Sequence, residues 1–510
     1  MTGFNASRRR LLQHTGAVLG SSAAPLALNM MAMGSAAAQS ATDYKALVCV
    51  FQFGGNDPFN TVLATDPGSW SNYVAVRNQA PDSIALMAPG VAAVPGAAVG
   101  SPARLGGVLP ISPLRSQSRT YALHPVLAVL QAKFNTDRKL AIVSNVGPLI
   151  MPTTKAQVAL VSHPKPSKLF SHNDQQSVWQ AFAPEGSARG WGGRMADLLI
   201  TGNAQASFTA VSAGGQAIWL SGQTARAYQV TTSGALRLGV DPNGTLYNSA
   251  TVGAAMQRVA STSRSAHILE ADYVAMARRS MDAERVLSGA LKPASDALWG
   301  TPAGSYSQAA DPKLRYLSPL TSATAANPLA QQLQTVARMI DAGVALGNRR
   351  QVFFVSLGGF DTHNAQNTSH ADLMARLGQA LGYFDSTLAA MGLRDKVTTF
   401  TASDFGRTFT SNGDGTDHGW GSHHMVMGGA VKGGDIYGSF PVLAAKNSND
   451  NNFDGSANQL LNGVLLPQTS VEQYAATMGR WFGLSDSQLL DVLPNLANFD
   501  LAQRQLGFMA

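Results

Sequence analysis

The stretch QVFFVSLGGFDTH, residues 351–363, decides the fold prediction. Its first seven residues are rich in β-branched and aromatic side chains, which indicates a buried strand. Two glycines then end the strand just before Asp361 and His363. A helix is predicted next, because apolar residues step by three or four positions and form one stripe. The stripe is Leu373, Leu377, Leu381, Phe384, Leu388 and Met391. Ser369-His370 resembles the start of that helix.

Two other predicted strands are also apolar runs that end just before acidic residues. The apolar run 46–53 stops at Gly54-Gly55-Asn56-Asp57, and the run 396–402 stops at Ser403-Asp404. Uninterrupted apolar runs of this length are typical of strands covered on both faces, as in parallel sheets. A further strand is predicted over 425–431. The sequence therefore predicts an α/β fold in which several strand ends present polar residues at one edge of the sheet.

Acids and histidines gather at these predicted strand ends. Asp361, His363 and Asp404 follow strands directly, and Asp417-His418 lies in the loop before the next strand. Oxygen ligands combined with a few imidazoles bind divalent metals that support hydrolysis. Asp57 is a further candidate metal ligand, although a turn residue before proline explains it equally well. We predict a divalent metal site, with zinc, calcium, magnesium or manganese as the candidate ions.

Two further positions are candidates for catalysis. Ser171 beside His172 could be an activated nucleophile, because a serine needs a base or a cation to lose its proton near neutral pH. The alternative is a helix cap before the helical pattern 175–182. Arg407 could hold a phosphate or sulfate oxygen through a bidentate contact. It could also form an ion pair with Asp404 or Asp414.

Composition excludes some classes of protein. The 510 residues are 45% hydrophobic and 13% charged, which suits a folded protein and not a disordered one. The formal charge of +7 includes Arg8, Arg9 and Arg10, so a chain beginning after residue 38 would carry +4. That excess is small and unclustered, and it predicts no nucleic-acid binding. Cys49 has no cysteine to pair with and lies in an apolar run, which favours a buried thiol.

The amino terminus has the pattern of an export signal. Arg8-Arg9-Arg10 precedes a mildly apolar run, residues 17–33, and the small residues Ala36-Ala37-Ala38 follow. This order predicts a twin-arginine signal over residues 1–38, read by the twin-arginine export machinery, and a periplasmic or secreted protein. An uncleaved membrane anchor is the alternative. Elsewhere the sequence predicts no stable membrane span.

Several short motifs together resemble the exported bacterial "domain of unknown function 1501" family. They occur in the same order from the signal to the carboxyl end. They are FQFGGND at 51–57, ALHP at 122–125, Ser171-His172, GFDTH at 359–363, SDFGRT at 403–408, TDHG at 416–419, VKGG at 431–434 and WFG at 481–483. The family is placed with the alkaline-phosphatase-like superfamily of phosphatases, sulfatases and phosphomutases.

The resemblance implies a central, mostly parallel sheet sandwiched between helices. It implies one domain over residues 45–510, with loop-rich insertions at about 81–118 and 290–327. Asp57, Asp361, Asp404 and His418 match metal-ligand positions of the superfamily, and Ser171 matches its nucleophile. The chain departs from the pattern twice. His363 is two residues after Asp361 instead of four, and Phe405 replaces a metal-binding histidine.

The resemblance leaves two functions open. The first is a metal-dependent hydrolase acting on a small-molecule or polymeric phosphate or sulfate ester. Its nucleophile would be Ser171, and His363, His423 or His424 would replace the missing ligand. The second is a binding or scaffold protein that keeps the fold and has lost the chemistry, as Phe405 suggests.

Overall fold

The computed structural model of the protein describes residues 44–232, 234–235, 240–241, 244–262, 267–448 and 452–510. The predicted export signal, residues 1–38, lies outside these residues, so export stays a prediction. Among the helices of the described ranges, none is both long enough and apolar enough to cross a membrane.

The elements alternate between short strands and helices along the chain. The strands are β1 Lys45–Phe53, β2 Val62–Ala64, β3 Leu109–Ile111, β4 Tyr121–Leu123, β5 Leu140–Gly147, β6 Ala210–Ser212, β7 Tyr228–Thr231, β8 Gly234–Ala235, β9 Arg315–Leu317, β10 Thr324–Ala326, β11 Arg350–Gly358, β12 Val397–Ser403, β13 Ser422–Met427, β14 Ile436–Tyr437 and β15 Thr469–Ser470. The α-helices are α1 Pro58–Thr61, α2 Pro67–Arg77, α3 Pro102–Leu105, α4 Ala128–Asn135, α5 Lys155–Val158, α6 His172–Ala181, α7 Trp191–Leu199, α8 Ala250–Ala260, α9 Ile268–Ala290, α10 Pro328–Ala345, α11 Gln366–Ala390, α12 Val471–Phe482 and α13 Asp486–Val492.

A large, mostly parallel sheet forms the centre of the fold. Its strand order is β14-β5-β13-β12-β1-β11-β6-β7-β8, and β15 also pairs with β5. β1 runs parallel to both β11 and β12, whereas β13 runs antiparallel between β12 and β5. The carboxyl ends of β1, β11 and β12 therefore lie side by side at one edge, which is where ligands bind in open α/β sheets. The predicted α/β class with a central, mostly parallel sheet is confirmed.

Helices cover both faces of this sheet. On one face, apolar residues of α4, α10 and α11 pack against the sheet, among them Leu130, Leu333 and Phe384. On the other face α7, α12 and α13 supply Met195, Tyr474 and Leu489. Burial on both faces explains why β1 reads as an unbroken apolar run, since neither of its faces meets water.

Two local predictions need correction. The strand predicted over 425–431 is β13, which covers residues 422–427 and therefore begins three residues earlier than predicted. His423 and His424, which directly precede the predicted strand, therefore lie inside a buried strand. α11 begins at Gln366, three residues before the predicted start, because Ala365 adopts a left-handed conformation and its N–H donates to Asp414 Oδ2. His370 consequently lies inside the helix, where it is buried.

Glu472 on α12 gives a prediction about stability and pH. Its Oε1 accepts a hydrogen bond from Asn495 Nδ2 at 2.7 Å, whereas its Oε2 is buried without a partner. Burial raises the pKa of Glu472 from 4.5 to about 7. The folded state therefore holds this proton more tightly than the unfolded state. The free energy of unfolding should fall as pH rises from about 4.5 to about 7 and then level off.

We expect Glu472→Gln to remove this dependence. At pH 8 the variant should be more stable than the wild type by up to about 3 kcal/mol, and the difference should vanish below about pH 4.5. Urea unfolding between pH 4 and 8 measures it, with Glu185→Gln at an exposed position as the control. A constant difference between the two proteins across this range would contradict the assignment.

Candidate metal centre

Three side chains converge at the edge of the sheet where β11 and β12 end. His172, Asp361 and His418 each offer a ligand atom, and these atoms all lie within 4.8 Å of one another. His172 Nε2 lies 3.3 Å from Asp361 Oδ2, and His418 Nε2 lies 3.2 Å from Asp361 Oδ1. His363 joins from the side, with its Nε2 at 3.0 Å from His418 Nε2 and 3.2 Å from Asp361 Oδ1.

The elements of the fold explain this convergence. Asp361 and His363 follow β11, and the loop that carries His418 lies between β12 and β13. His172 is the first residue of α6. A short backbone bridge between Arg407 and His418 brings the loop back onto the segment that leaves β12. Loops from three separate parts of the chain thus meet above the central strands.

Each imidazole is oriented by an acceptor on its other nitrogen. His172 Nδ1 lies 2.7 Å from Asp404 Oδ2, and His363 Nδ1 lies 3.1 Å from Asp417 Oδ1. His418 Nδ1 lies 2.7 Å from the backbone carbonyl of Phe170. A carboxylate or carbonyl oxygen can only accept, so each Nδ1 carries the proton that it donates. This is the arrangement in which histidines bind a metal through Nε2.

The Nε2 atoms of His172, His363 and His418 are arranged so that they could bind a cation. With Nδ1 protonated, a neutral imidazole has a lone pair on Nε2, and the lone pairs of His363 and His418 then face each other across 3.0 Å. That of His172 faces the Asp361 carboxylate, and its Nε2 is buried without a hydrogen-bond partner. Metal bonds of about 2.0–2.1 Å would place tetrahedral ligand atoms about 3.3 Å apart. The spacings of 3.0–3.3 Å between the Asp361 oxygens and the three imidazoles and between His363 and His418 are close to that value, so these residues fit a divalent metal ion.

The pKa shifts in the cluster have distinct causes. The hydrogen bond to Asp404 raises the pKa of His172, whereas burial lowers the pKa of His418. Burial acts to raise the pKa of Asp361, but the Arg407 hydrogen bond and charge outweigh it and the net pKa is lowered. Asp361 is therefore ionised, and His418 is neutral near pH 7. The Asp361 side chain is 42% exposed, so the site is open to solvent.

Arg407 does not have the exposed position that its predicted contact with a phosphate or sulfate oxygen requires. Its side chain is fully buried, and its Nη1 donates to Asp361 Oδ1 at 2.8 Å. Its other donors bind Thr416 and the Gly54 carbonyl. The ion pair proposed as the alternative does form, but with Asp361 in place of Asp404 or Asp414. A buried guanidinium with these partners orients the carboxylate and does not reach a substrate.

Asp57 is not part of the cluster. Its carboxylate is buried and paired with Arg77, at 2.5 Å between Oδ2 and Nη1 and 3.0 Å between Oδ1 and Nη2. The Phe59 N–H and the Gln366 amide also donate to it. The predicted alternative, a turn residue before proline, describes its local role, in which Asp57 caps α1. A carboxylate that already has a guanidinium and two N–H partners does not need a metal.

Ser171 directly precedes the candidate ligand His172 in the chain, whereas His424 lies apart from the converging atoms. Ser171 occupies the N-cap position of α6, but it makes no capping bond, and its Oγ donates to Asp174 Oδ2 at 2.9 Å. His424 is fully buried inside β13 beside Trp179, and its Nδ1 lies 3.3 Å from Thr401 Oγ1. His424 therefore does not reach the metal cluster, because its side chain packs in the core of the protein.

A family model described as "Protein of unknown function (DUF1501)" matches residues 44–493. The chain belongs to the DUF1501 family. No curated protein matched this chain.

Two solved structures show low similarity to this DUF1501 protein. One is described as "Crystal structure of Ps i-CgsB"; it is 11% identical, has a TM-score of 0.32, and the match covers 90% of this chain and 77% of that one. The other is described by "Metabolism of multiple glycosaminoglycans by bacteroides thetaiotaomicron is orchestrated by a versatile core genetic locus"; it is 9% identical and has a TM-score of 0.32. That match covers 88% of this chain and 74% of the other chain. Scores this low carry no argument about chemistry.

Phe405 occupies a central place in this DUF1501 protein. Its ring centroid lies 4.9 Å from that of His172 and 4.6 Å from that of His418. Phe405, which stands where the resemblance implies a histidine, thus packs against two of the candidate ligands. A phenyl ring binds no metal, but it keeps both imidazoles in place and removes water from one side of the site.

The sequence did not reveal the partners that orient the ligands. The sequence shows Asp417 only as the neighbour of His418, whereas in the structure its carboxylate accepts a hydrogen bond from His363 Nδ1. Gln176 donates to Asp404 Oδ2 at 2.9 Å, and Gln366 and Arg77 hold Asp57. The one available signal was the polar start of α6, where Gln176 follows His172 by one helical turn.

Proposed function

We propose that this DUF1501 protein is a metal-dependent hydrolase of phosphate or sulfate esters. His172, His418 and Asp361 would hold the cation, with His363 as a fourth ligand. The observation that supports this is the convergence of imidazole Nε2 atoms on one carboxylate while every Nδ1 is held by an acceptor. Three nitrogens and one oxygen favour zinc over calcium, magnesium and manganese, which prefer oxygen ligands.

The chain's own residues have separable roles in this proposal. When bound, a divalent cation would supply Lewis acidity and neutralise charge on the ester. Asp404 fixes His172 in the tautomer that directs Nε2 at the site, and Arg407 orients and ionises Asp361. Ser171 is the candidate nucleophile, and its hydroxyl donates a hydrogen bond to Asp174 Oδ2 at 2.9 Å. Lys168 is an exposed cation 3.5 Å from Asp174 and replaces Arg407 as the candidate contact for an anionic ester.

The second candidate function is a binding or scaffold protein without catalysis. It is favoured by Asp57, which the Arg77 pair withdraws from metal binding, and by Phe405. In both functions we propose a periplasmic or secreted protein, exported folded through the twin-arginine route, because the arginine-rich segment 8–10 precedes an apolar run.

Metal analysis and ester hydrolysis test the proposal together. We expect protein purified after export to retain about one zinc ion per chain. It should hydrolyse an aryl phosphate or an aryl sulfate. Ser171→Ala should abolish turnover and leave the metal bound, while Ser162→Ala on an exposed loop should behave as the wild type.

The outcomes separate the two functions. Retained metal without turnover of any ester supports the binding protein. Turnover that survives Ser171→Ala removes Ser171 as nucleophile. Protein without metal, even after incubation with zinc or manganese, overturns the hydrolase.

A further inference from the structure

Gln366, the first residue of α11, lies between the buried Arg77–Asp57 ion pair and the metal cluster. Its side chain is fully buried. Nε2 donates to Asp57 Oδ2 at 2.6 Å, and Oε1 accepts from Thr416 Oγ1 at 2.6 Å and from Thr362 Oγ1 at 3.2 Å. The amide orientation is therefore fixed chemically, since only the NH₂ end can face a carboxylate.

The contacts continue from Thr416 to the cluster. The Thr416 hydroxyl gives its single proton to Gln366, so it accepts the Arg407 Nε–H at 3.2 Å. Arg407 Nη1 then donates to Asp361 Oδ1 at 2.8 Å. The donors of Gln366, Thr416 and Arg407 Nε all point toward Asp57, and Arg407 Nη1 points the other way, toward Asp361, so Arg407 donates to both halves of the network. Gln366, Thr416 and Arg407 are all fully buried, so water does not compete for these bonds.

The backbone at Gln366 is also fixed. Ala365 has a φ of +46°, which is left-handed and uncommon for a residue with a Cβ. The Ala365 N–H donates to Asp414 Oδ2 at 2.9 Å, and the Gln366 N–H donates to the Asp414 carbonyl at 3.0 Å. Asp414 lies two residues before Thr416. The same loop thus holds both the start of α11 and the hydroxyl that Gln366 contacts.

We propose that Gln366 is a positioning residue, which couples the buried Arg77–Asp57 pair to the metal ligand Asp361 through Thr416 and Arg407. This inference rests on the proposed metal function. It assigns Asp57 an indirect role, in which its carboxylate orients the network behind the site and does not bind the ion. Removing either side-chain link should loosen Arg407 and thereby Asp361, although neither Gln366 nor Thr416 touches the cation.

Metal affinity in matched variants tests the coupling. Co²⁺ serves as the probe, because its absorption spectrum reports ligand geometry. Gln366→Met keeps the size and removes all three side-chain hydrogen bonds. Thr416→Val removes the hydroxyl, and Thr416→Ser keeps it. We expect Gln366→Met and Thr416→Val to weaken Co²⁺ binding by about 10- to 100-fold and to alter the spectrum, and Thr416→Ser to match the wild type.

Gln334→Met is the control for general destabilisation. Gln334 is as fully buried as Gln366, and its amide binds the carbonyls of Ala294 and Trp299 and the Tyr306 hydroxyl, outside the metal centre. We expect it to lower the unfolding midpoint and leave Co²⁺ affinity unchanged. Wild-type affinity and spectrum in both Gln366→Met and Thr416→Val would overturn the inference.

A measurement without metal keeps this result separate from the proposed function. If the wild type binds no Co²⁺, the proposed function fails, and the coupling is measured on the metal-free protein. Unfolding midpoints of Gln366→Met, Asp361→Asn and the double variant form a cycle between residues that are not in contact. Non-additive midpoints support the coupling through Arg407, and additive midpoints overturn it.

Discussion

Asp361→Asn should lower the affinity of the protein for zinc at least about 100-fold, because loss of an outer-shell partner alone costs about 10- to 100-fold and Asp361 lies in direct contact with the site. Asp361 contacts all three imidazoles and supplies the one carboxylate among the converging atoms. Asparagine keeps the size and removes the charge. Arg407 then loses its counter-charge and repels an incoming cation.

Competition with a coloured zinc chelator measures this affinity. Asp486→Asn is the matched control, since Asp486 lies in an exposed ion pair with Arg480 outside the cluster. The control should bind zinc as the wild type does. If Asp361→Asn also retains wild-type affinity, the metal binds elsewhere and the candidate centre is wrong.

Arg77→Met should destabilise the folded protein by about 3–5 kcal/mol, the usual cost of removing one partner from a buried ion pair. Both side chains of the Arg77–Asp57 pair are fully buried. Arg77 also donates to Asn60 Oδ1 and to the carbonyls of Thr408 and Phe409, and its guanidinium lies 4.9 Å from the Phe59 ring centroid. Methionine fills much of the volume but leaves the Asp57 carboxylate buried without a cation.

Urea unfolding at pH 7 measures the loss. Two variants make the result specific. Arg77→Met combined with Asp57→Asn removes the orphaned charge and should recover part of the stability. Arg480→Met breaks an exposed pair and should cost at most about 1 kcal/mol. A cost for Arg77→Met as small as that of Arg480→Met would show that the buried charge is compensated in another way.

The sequence predicted the residues at strand ends better than their partners. Asp361 and Asp404 were predictable because buried apolar runs end just before them, and the ends of parallel strands meet at one edge. His418 was close to such an end. The sheet itself followed from the same runs, since strands covered on both faces carry few polar residues.

The remaining contacts depend on distances along the chain that no local pattern encodes. Asp57 had two interpretations, and only the tertiary contact with Arg77 shows that its carboxylate is held in an ion pair. The His172–Asp404 contact joins residues 232 positions apart. His424 was misplaced because β13 begins earlier than its apolar run, so a histidine expected at a strand entrance is buried within the strand.

The candidate ligands come from loops that only the assembled sheet brings together. A bound ion would therefore act as a cross-link that closes very long loops, and the unfolded chain would have no comparable site. Binding to the folded state alone adds RT ln(1 + [M]/Kd) to the free energy of unfolding, about 4 kcal/mol when free metal exceeds Kd by 1,000-fold. The metal supply of its surroundings would thus set how long each molecule survives proteolysis, whether or not it ever turns over a substrate.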